Sequence, residues 1–217
     1  IFDFGNLGDG SESSTFYFDG INQNDDLGGD PTLSQIDFPV DFEDATVNYT
    51  MTDFGGASSS LVEDPEDASN HVIQSIKTSG AETWAGTKIG TETGFATYLP
   101  LTLEDSKMSI RVWSPQAGIP VRLKVEDSND VTHTCETETN TTVANAWDTL
   151  VFDFANEAPG TQSLEVGLGM GWAYNEAAIF FDFGSEGNEA TYYFDDVEFG
   201  VSTTIGIYDR TVSQLVA

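Results

Sequence analysis

Lys107-Met108-Ser109-Ile110-Arg111-Val112-Trp113 and, a short way on, Val121-Arg122-Leu123-Lys124-Val125 decide the fold. In both stretches apolar side chains recur at every second position. A chain that sends successive side chains to opposite faces in this way is a β-strand with one face buried. Met108, Ile110, Val112, Val121, Leu123 and Val125 then face a core, while Lys107, Arg111, Trp113, Arg122 and Lys124 point outward.

Further strands are predicted at Leu150 to Phe154, Leu164 to Leu168, Ile179 to Phe183 and Tyr192 to Phe199. Between them lie turn-forming stretches such as Pro159-Gly160 and Ser185 to Asn188. No window carries a helical apolar stripe longer than two turns. The expectation is an all-β chain: an antiparallel two-sheet β-sandwich of the jelly-roll kind.

The 217 residues suffice for one sandwich-sized domain, and 39% hydrophobic and 12% aromatic residues supply a core. Seven Lys and Arg against 37 Asp and Glu leave a net charge of −30, a field that repels phosphate backbones and anionic headgroups. Nucleic acid and membrane-surface partners are excluded on that ground, and no run approaches the ~20 apolar residues of a membrane span. Such acidity keeps a secreted protein soluble, and it also suits hard divalent cations. Ile1 is not expected to be a native start, because the opening residues lack the regions of a signal peptide.

Cys135 is the one cysteine, and His71 and His133 are the two histidines. That inventory argues against disulfides, Cys-based metal sites, zinc hydrolysis and serine or cysteine triads. Cys135 reads as a small buried apolar group and His133 as an ordinary strand residue. A two-carboxylate glycosidase needs an acid and a base set apart by their surroundings. Among 37 acids nothing singles out such a pair, so no enzyme is expected.

The chain echoes itself. Phe2-Asp3-Phe4-Gly5 recurs as Phe181-Asp182-Phe183-Gly184, and Thr15 to Ile21 as Thr191 to Val197. Thr32-Leu33-Ser34-Gln35-Ile36 returns as Thr211-Val212-Ser213-Gln214-Leu215, in the same order. A module of roughly 180 residues in tandem explains this. Residues 1–22 read as the closing strands of a preceding repeat, 23–31 as a linker, 32–200 as the module, and 201–217 as the junction to the next. Terminal strands need a sheet to join, which makes neighbouring copies expected partners.

Trp113, Arg111, Arg122 and Lys124 crowd two consecutive strands, and a third strand with Glu136 and Glu138 facing out can stand opposite them. One reading is a solvated charge ladder worth ~0.2–1 kcal/mol per pair. The other is a shallow glycan groove, in which the aromatic ring stacks on the apolar C–H face of a sugar and the charged planar groups bond its hydroxyls. Trp84, set among small residues, is a further candidate for sugar contact. Trp147 reads as core packing, and Trp172 with Tyr174 as a second aromatic platform or a contact between modules. Glu43, Asp64 (in the acidic loop Glu63 to Asn70) and Asp196 are candidate calcium ligands, because the first and last strands of a sandwich pair and bring Glu43 near Asp196.

Val40-Asp41-Phe42-Glu43, Trp84-Ala85-Gly86-Thr87, Val112-Trp113-Ser114-Pro115, Gly118 to Glu126, Glu136-Thr137-Glu138, Phe152-Asp153-Phe154 and Tyr193-Phe194-Asp195-Asp196-Val197 together resemble a carbohydrate-binding-type module. Modules of this kind recur in secreted and surface proteins of marine Bacteroidetes, often beside laminarin-degrading enzymes. The resemblance implies a jelly roll, a structural calcium ion, and non-catalytic attachment outside the cell or at its surface to a polysaccharide such as β-1,3-glucan. Its alternative is a structural repeat of an extracellular adhesin, stalk or filament.

Overall fold

The computed structural model describes residues 33–201. The segment read as the closing strands of a preceding repeat (1–22), the linker (23–31) and the junction beyond residue 201 lie outside the described residues. Ten strands and one short helix follow in order: β1 (Thr52–Phe54), β2 (Ala57–Asp64), β3 (Asp67–Lys77), β4 (Gly86–Lys88), β5 (Lys107–Ser114), β6 (Pro120–Asp127), β7 (Asp130–Asn140), β8 (Ala146–Asp153), α1 (Leu164–Gly169), β9 (Glu176–Phe181) and β10 (Ala190–Phe199). They form two antiparallel five-stranded sheets, ordered β1-β4-β9-β6-β7 and β2-β3-β10-β5-β8. The β2–β3 and β6–β7 hairpins stay within a sheet, while every other connection between these strands crosses from one sheet to the other. The fold is thus the two-layered β-sandwich that the period-two pattern predicts.

Met108, Ile110, Val112, Val121, Leu123 and Val125 are fully buried and meet between the sheets. At about 1.5–3 kcal/mol for each large side chain taken out of water, this interior is the main source of stability. Phe181 of β9 lies parallel to Tyr192 of β10, with centroids 4.6 Å apart, and so joins the two layers. Near its end β10 bulges: Asp196 adopts a positive φ of 46° and the register shifts between Asp195 and Glu198. Val197, rather than Asp196, thereby turns inward and bridges Val40.

Three expectations need correction. Leu164 to Leu168 is part of helix α1, because Ser163 caps it by accepting a hydrogen bond from the Val166 amide and Glu165 complements the first turn. Leu164 and Gly167 are its buried residues, so a spacing of three serves a one-turn helix as well as alternation serves a strand. Tyr174 is no platform residue, since it is buried in the core, and its partner Trp172 packs against that core and stacks on His133. Trp147 faces outward from β8 and covers an ion cluster rather than filling the interior.

Candidate functional site

The outer face of the β1-β4-β9-β6-β7 sheet carries an open groove of about 770 Å³. Strand register builds it. One row runs Phe54, Gly86, Phe180, Arg122, Glu138, and the next runs Thr52, Lys88, Ala178, Lys124, Glu136. The first row gives an aromatic shelf and the second a charged floor.

Gly86 makes the shelf possible. A Cβ there would lie 2.8 Å from Phe180 Cδ1 and 2.9 Å from both Phe54 Cζ and the Ile179 carbonyl oxygen. Without one, Phe54 and Phe180 meet edge to face with centroids 5.4 Å apart. Trp84 stacks nearly parallel on Phe54, at 6.2 Å and 15°, and remains 50% exposed at the groove. Phe183 extends the shelf by packing edgewise on Phe180, and it carries the Arg122 guanidinium 3.6 Å above its ring.

Arg122 spans two glutamates of β7, with Nη1 donating to Glu136 at 3.0 Å and Nε to Glu138 at 3.2 Å. Lys124 donates to Glu126 at 2.6 Å, and Lys88 donates to Glu92 at 2.8 Å. The small Ala178 lies between the two lysines in register. In the next row along β9, opposite Glu126, Glu176 is only 2% exposed and is held in an ion pair with Lys88 Nζ at 3.0 Å, off the line of a true hydrogen bond. Burial raises the Glu176 carboxyl above the ordinary range despite Lys88, and neighbouring Glu126 adds to the rise. Lys88 is itself raised: burial opposes its charge, but the hydrogen bond from Lys88 to Glu92 and the charges of Glu92 and Glu176 outweigh it.

The residues singled out in the sequence divide between two faces. Trp84, Arg122, Lys124 and Glu136 line the groove together, and Glu138 flanks it through Arg122. Arg111 and Trp113 do not join them. The turn Pro115 to Ile119 carries the chain from one sheet to the other, so β5 and β6 are not neighbours and their outward faces are opposite faces of the sandwich. Lys88, Phe54, Phe180 and Phe183 were missed, because only the long-range register β1–β4–β9–β6 brings them to this place. Ala178-Ile179-Phe180-Phe181 is a continuous apolar run, so no local alternation marks Phe180 as the ring that turns to this face.

Arg111 lies in a buried cluster on the other sheet. Its Nη1 reaches Asp195 at 3.2 Å, its Nη2 reaches Asp64 at 3.5 Å, and its Cζ stands 3.9 Å from the Trp147 ring centroid. Asn70 donates to both carboxylates, at 3.0 Å to Asp195 and 3.4 Å to Asp64, and the Trp147 indole donates to Asp64 at 3.4 Å. Burial, reinforced by the adjacent Asp196 charge, lifts the Asp195 carboxyl to about 7, against the pull of Asn70, the Asp196 amide and Arg111.

The three acids read as calcium ligands stand in separate settings. Asp64 belongs to the Arg111 cluster, and Glu43 accepts from the His71 amide at 2.6 Å and meets its Nδ1 at 3.1 Å. Asp196 sits at the β10 bulge. Among the described residues no three His, Cys, Asp or Glu side chains form a group able to hold a metal ion. Cys135 is buried, with its thiol pushed up to about 12 by burial, as an inert packing group requires. Among the described residues no helix is long and apolar enough to cross a membrane.

No family model matches the chain, and no curated protein matches it. Solved structures of similar fold include the family 11 carbohydrate-binding module of the cellulosomal cellulase Lic26A-Cel5E of Clostridium thermocellum, at 15% identity over 75% of this chain and 92% of that one, with a TM-score of 0.45. An exo-β-agarase matches at 12% identity over 76% of this chain and 25% of that one, TM-score 0.48. The CBM22-1-GH10 modules of a Clostridium thermocellum xylanase, Xyn10B, complexed with xylohexaose, match at 17% over 73% and 27%, TM-score 0.39. At such identities no side-chain role passes from any of them to this chain.

Proposed function

We propose that the groove of the β1-β4-β9-β6-β7 sheet binds a neutral glycan chain without cleaving it. The observation that carries this reading is the half-exposed Trp84, held flat on Phe54 beside the Arg122–Glu136 pair. A pyranose offers an apolar C–H face to the ring and hydroxyls to the paired charges. Lys88, Arg122 and Lys124 each already face a glutamate, so the groove is nearly charge-balanced within a chain of net charge −30. An anionic polymer would have to displace those glutamates against that field. A neutral polyhydroxyl chain can bridge them as they stand.

The finer reading is a β-1,3-glucan or related β-glucan, recognised by one repeat of a large secreted or cell-surface protein. It draws on the sequence resemblance and on the internal echo. One fold neighbour, a family 11 module, was solved in complex with a β-1,3-1,4-mixed-linked tetrasaccharide, which supplies a natural second probe. The echo also favours the other role, a structural repeat whose copies contact one another in a stalk or filament.

Calorimetric titration with a β-1,3-glucan hexasaccharide and with the mixed-linked tetrasaccharide tests the groove. Saturable binding is expected, weakened about tenfold or more by Trp84→Ala, roughly the 1.4 kcal/mol that stacking on one aromatic ring contributes. No release of reducing ends should accompany it. Binding that is indifferent to Trp84→Ala, or hydrolysis of either probe, would remove this reading.

A further inference from the structure

Trp113 lies outside the groove, yet it is one of three aromatic rings set side by side on the opposite face. Ser60, Gln74, Tyr193, Trp113 and Trp147 stand directly across from one another on β2, β3, β10, β5 and β8. From these residues we propose a second carbohydrate contact, a site for neutral sugar rings on the outer face of the β2-β3-β10-β5-β8 sheet. It shares no residue with the groove.

Its geometry is a corner. The Trp113 and Tyr193 rings meet at 81° with centroids 5.6 Å apart, so one acts as floor and the other as wall for a flat, apolar ligand face. Both rings are partly exposed and stand on interior strands of the sheet, which fix them before any ligand arrives. The Gln74 side-chain amide donates to the Tyr193 hydroxyl at 3.2 Å, locking the phenol and leaving its own proton to donate outward. Asn188 uses its carbonyl oxygen to accept from the Ala190 amide at 3.1 Å, so its NH₂ group is turned to other acceptors.

The cavity in front of these rings measures about 500 Å³ and is also lined by Gln116 and Thr191. That volume lies within the ~300–1,000 Å³ of small-ligand sites. The residues lining it include no lysine or arginine, and their one carboxylate, Glu189, already accepts from the Ser79 amide at 2.7 Å. Rings for C–H faces with amides and hydroxyls for hydroxyls suit an uncharged sugar and offer nothing to hold an anion. A protein partner would ask for a broad apolar patch, whereas neither ring is among the strongly exposed large hydrophobics.

Fluorine NMR of the full chain labelled with 5-fluorotryptophan separates the two faces, because Trp84 reports the groove and Trp113 reports the corner. Each signal is assigned by its Trp→Phe variant. The probes are the β-1,3-glucan hexasaccharide, the mixed-linked tetrasaccharide, xylohexaose, a neutral agaro-oligosaccharide and, as a charged control, an oligouronate. At least one neutral probe should shift the Trp113 signal saturably, equally in the wild type and in Trp84→Ala, with the oligouronate inert. Tyr193→Ala should weaken that isotherm at least tenfold and the milder Gln74→Ala about threefold, both leaving the Trp84 isotherm within twofold. A Trp113 signal that no neutral probe moves, or that follows only the oligouronate or protein concentration, would overturn the corner site. Movement of Trp84 alone would then leave the groove reading intact, and movement of Trp113 alone would do the reverse.

Discussion

On one face of the sandwich the row Phe54–Gly86–Phe180–Arg122–Glu138 passes from edge-to-face rings to a charge pair at the surface, beside an open groove. On the other, the row Ser60–Gln74–Tyr193–Trp113–Trp147 is uncharged, and in the neighbouring row Arg111 lies against the Trp147 ring between the buried Asp64 and Asp195. The two faces hold guanidinium–carboxylate pairs of the same chemistry at different depths. Depth decides what they do. The two guanidiniums are about equally covered, Arg122 at 11% and Arg111 at 14% exposure, so the difference lies in their partners: Glu136 and Glu138 keep 19% and 33% of their side-chain surface and are available to hydroxyls. Asp64 and Asp195 keep 1% and 2% and are desolvated, so their pairing with Arg111 is a condition of folding rather than a binding device.

The sharpest way to break this contrast is to remove each arginine's role in turn. Arg111→Leu leaves two buried carboxylates without the guanidinium that pairs them and should cost about 3–5 kcal/mol in urea unfolding. A loss below 1 kcal/mol would mean that the cluster is hydrated and the depth argument fails.

Next in size is a pH effect on the same face. Asp195 has its carboxyl raised from 3.8 to about 7 in the folded chain, so between those values the folded state holds a proton that the unfolded state has released. This group's contribution therefore falls as pH rises from about 4 to about 7 and is constant above, by on the order of 2–4 kcal/mol in all. Asp195→Asn should flatten that part of the stability profile relative to wild type, and parallel profiles would contradict it.

On the groove face the largest effect on stability is expected from Gly86→Ala. The added Cβ meets Phe180, Phe54 and the Ile179 carbonyl at under 3 Å, so backbone or rings must shift, costing ~1–3 kcal/mol. Glycan affinity should fall several-fold with it, and unchanged affinity would detach the shelf from binding. Smallest of all, Glu138→Gln should change stability by less than about 1 kcal/mol, as an exposed pair does, even though its Arg122 contact measures 3.2 Å like that of Arg111 with Asp195.

The strands on which both faces stand were legible in the sequence, because Met108 to Trp113 and Val121 to Val125 alternate without interruption. So was the ladder of Arg122 and Lys124 against Glu136 and Glu138, which needs only the β6–β7 hairpin. The allocation of strands to sheets was not legible: the Pro115 to Ile119 turn reads equally as a hairpin or as a crossing between layers, and it crosses. Arg111 and Trp113 were for that reason placed in a groove they face away from. Lys88 and Phe180 enter the groove from positions about ninety residues apart in sequence, a pairing fixed by packing that no local pattern encodes. Trp147 looked like core because it precedes a buried strand, but at Ala146–Trp147 the chain is still on the rim of the sheet, where an indole N–H can serve Asp64.

A crystal structure of the chain with the β-1,3-glucan hexasaccharide tests the central claim most directly. The account predicts sugar density along the β1-β4-β9-β6-β7 face, with one ring stacked on Trp84 and hydroxyls within about 3 Å of Arg122 and Glu136. Sugar bound elsewhere with this groove empty, or a Trp84 ring turned away from a bound chain, would contradict it.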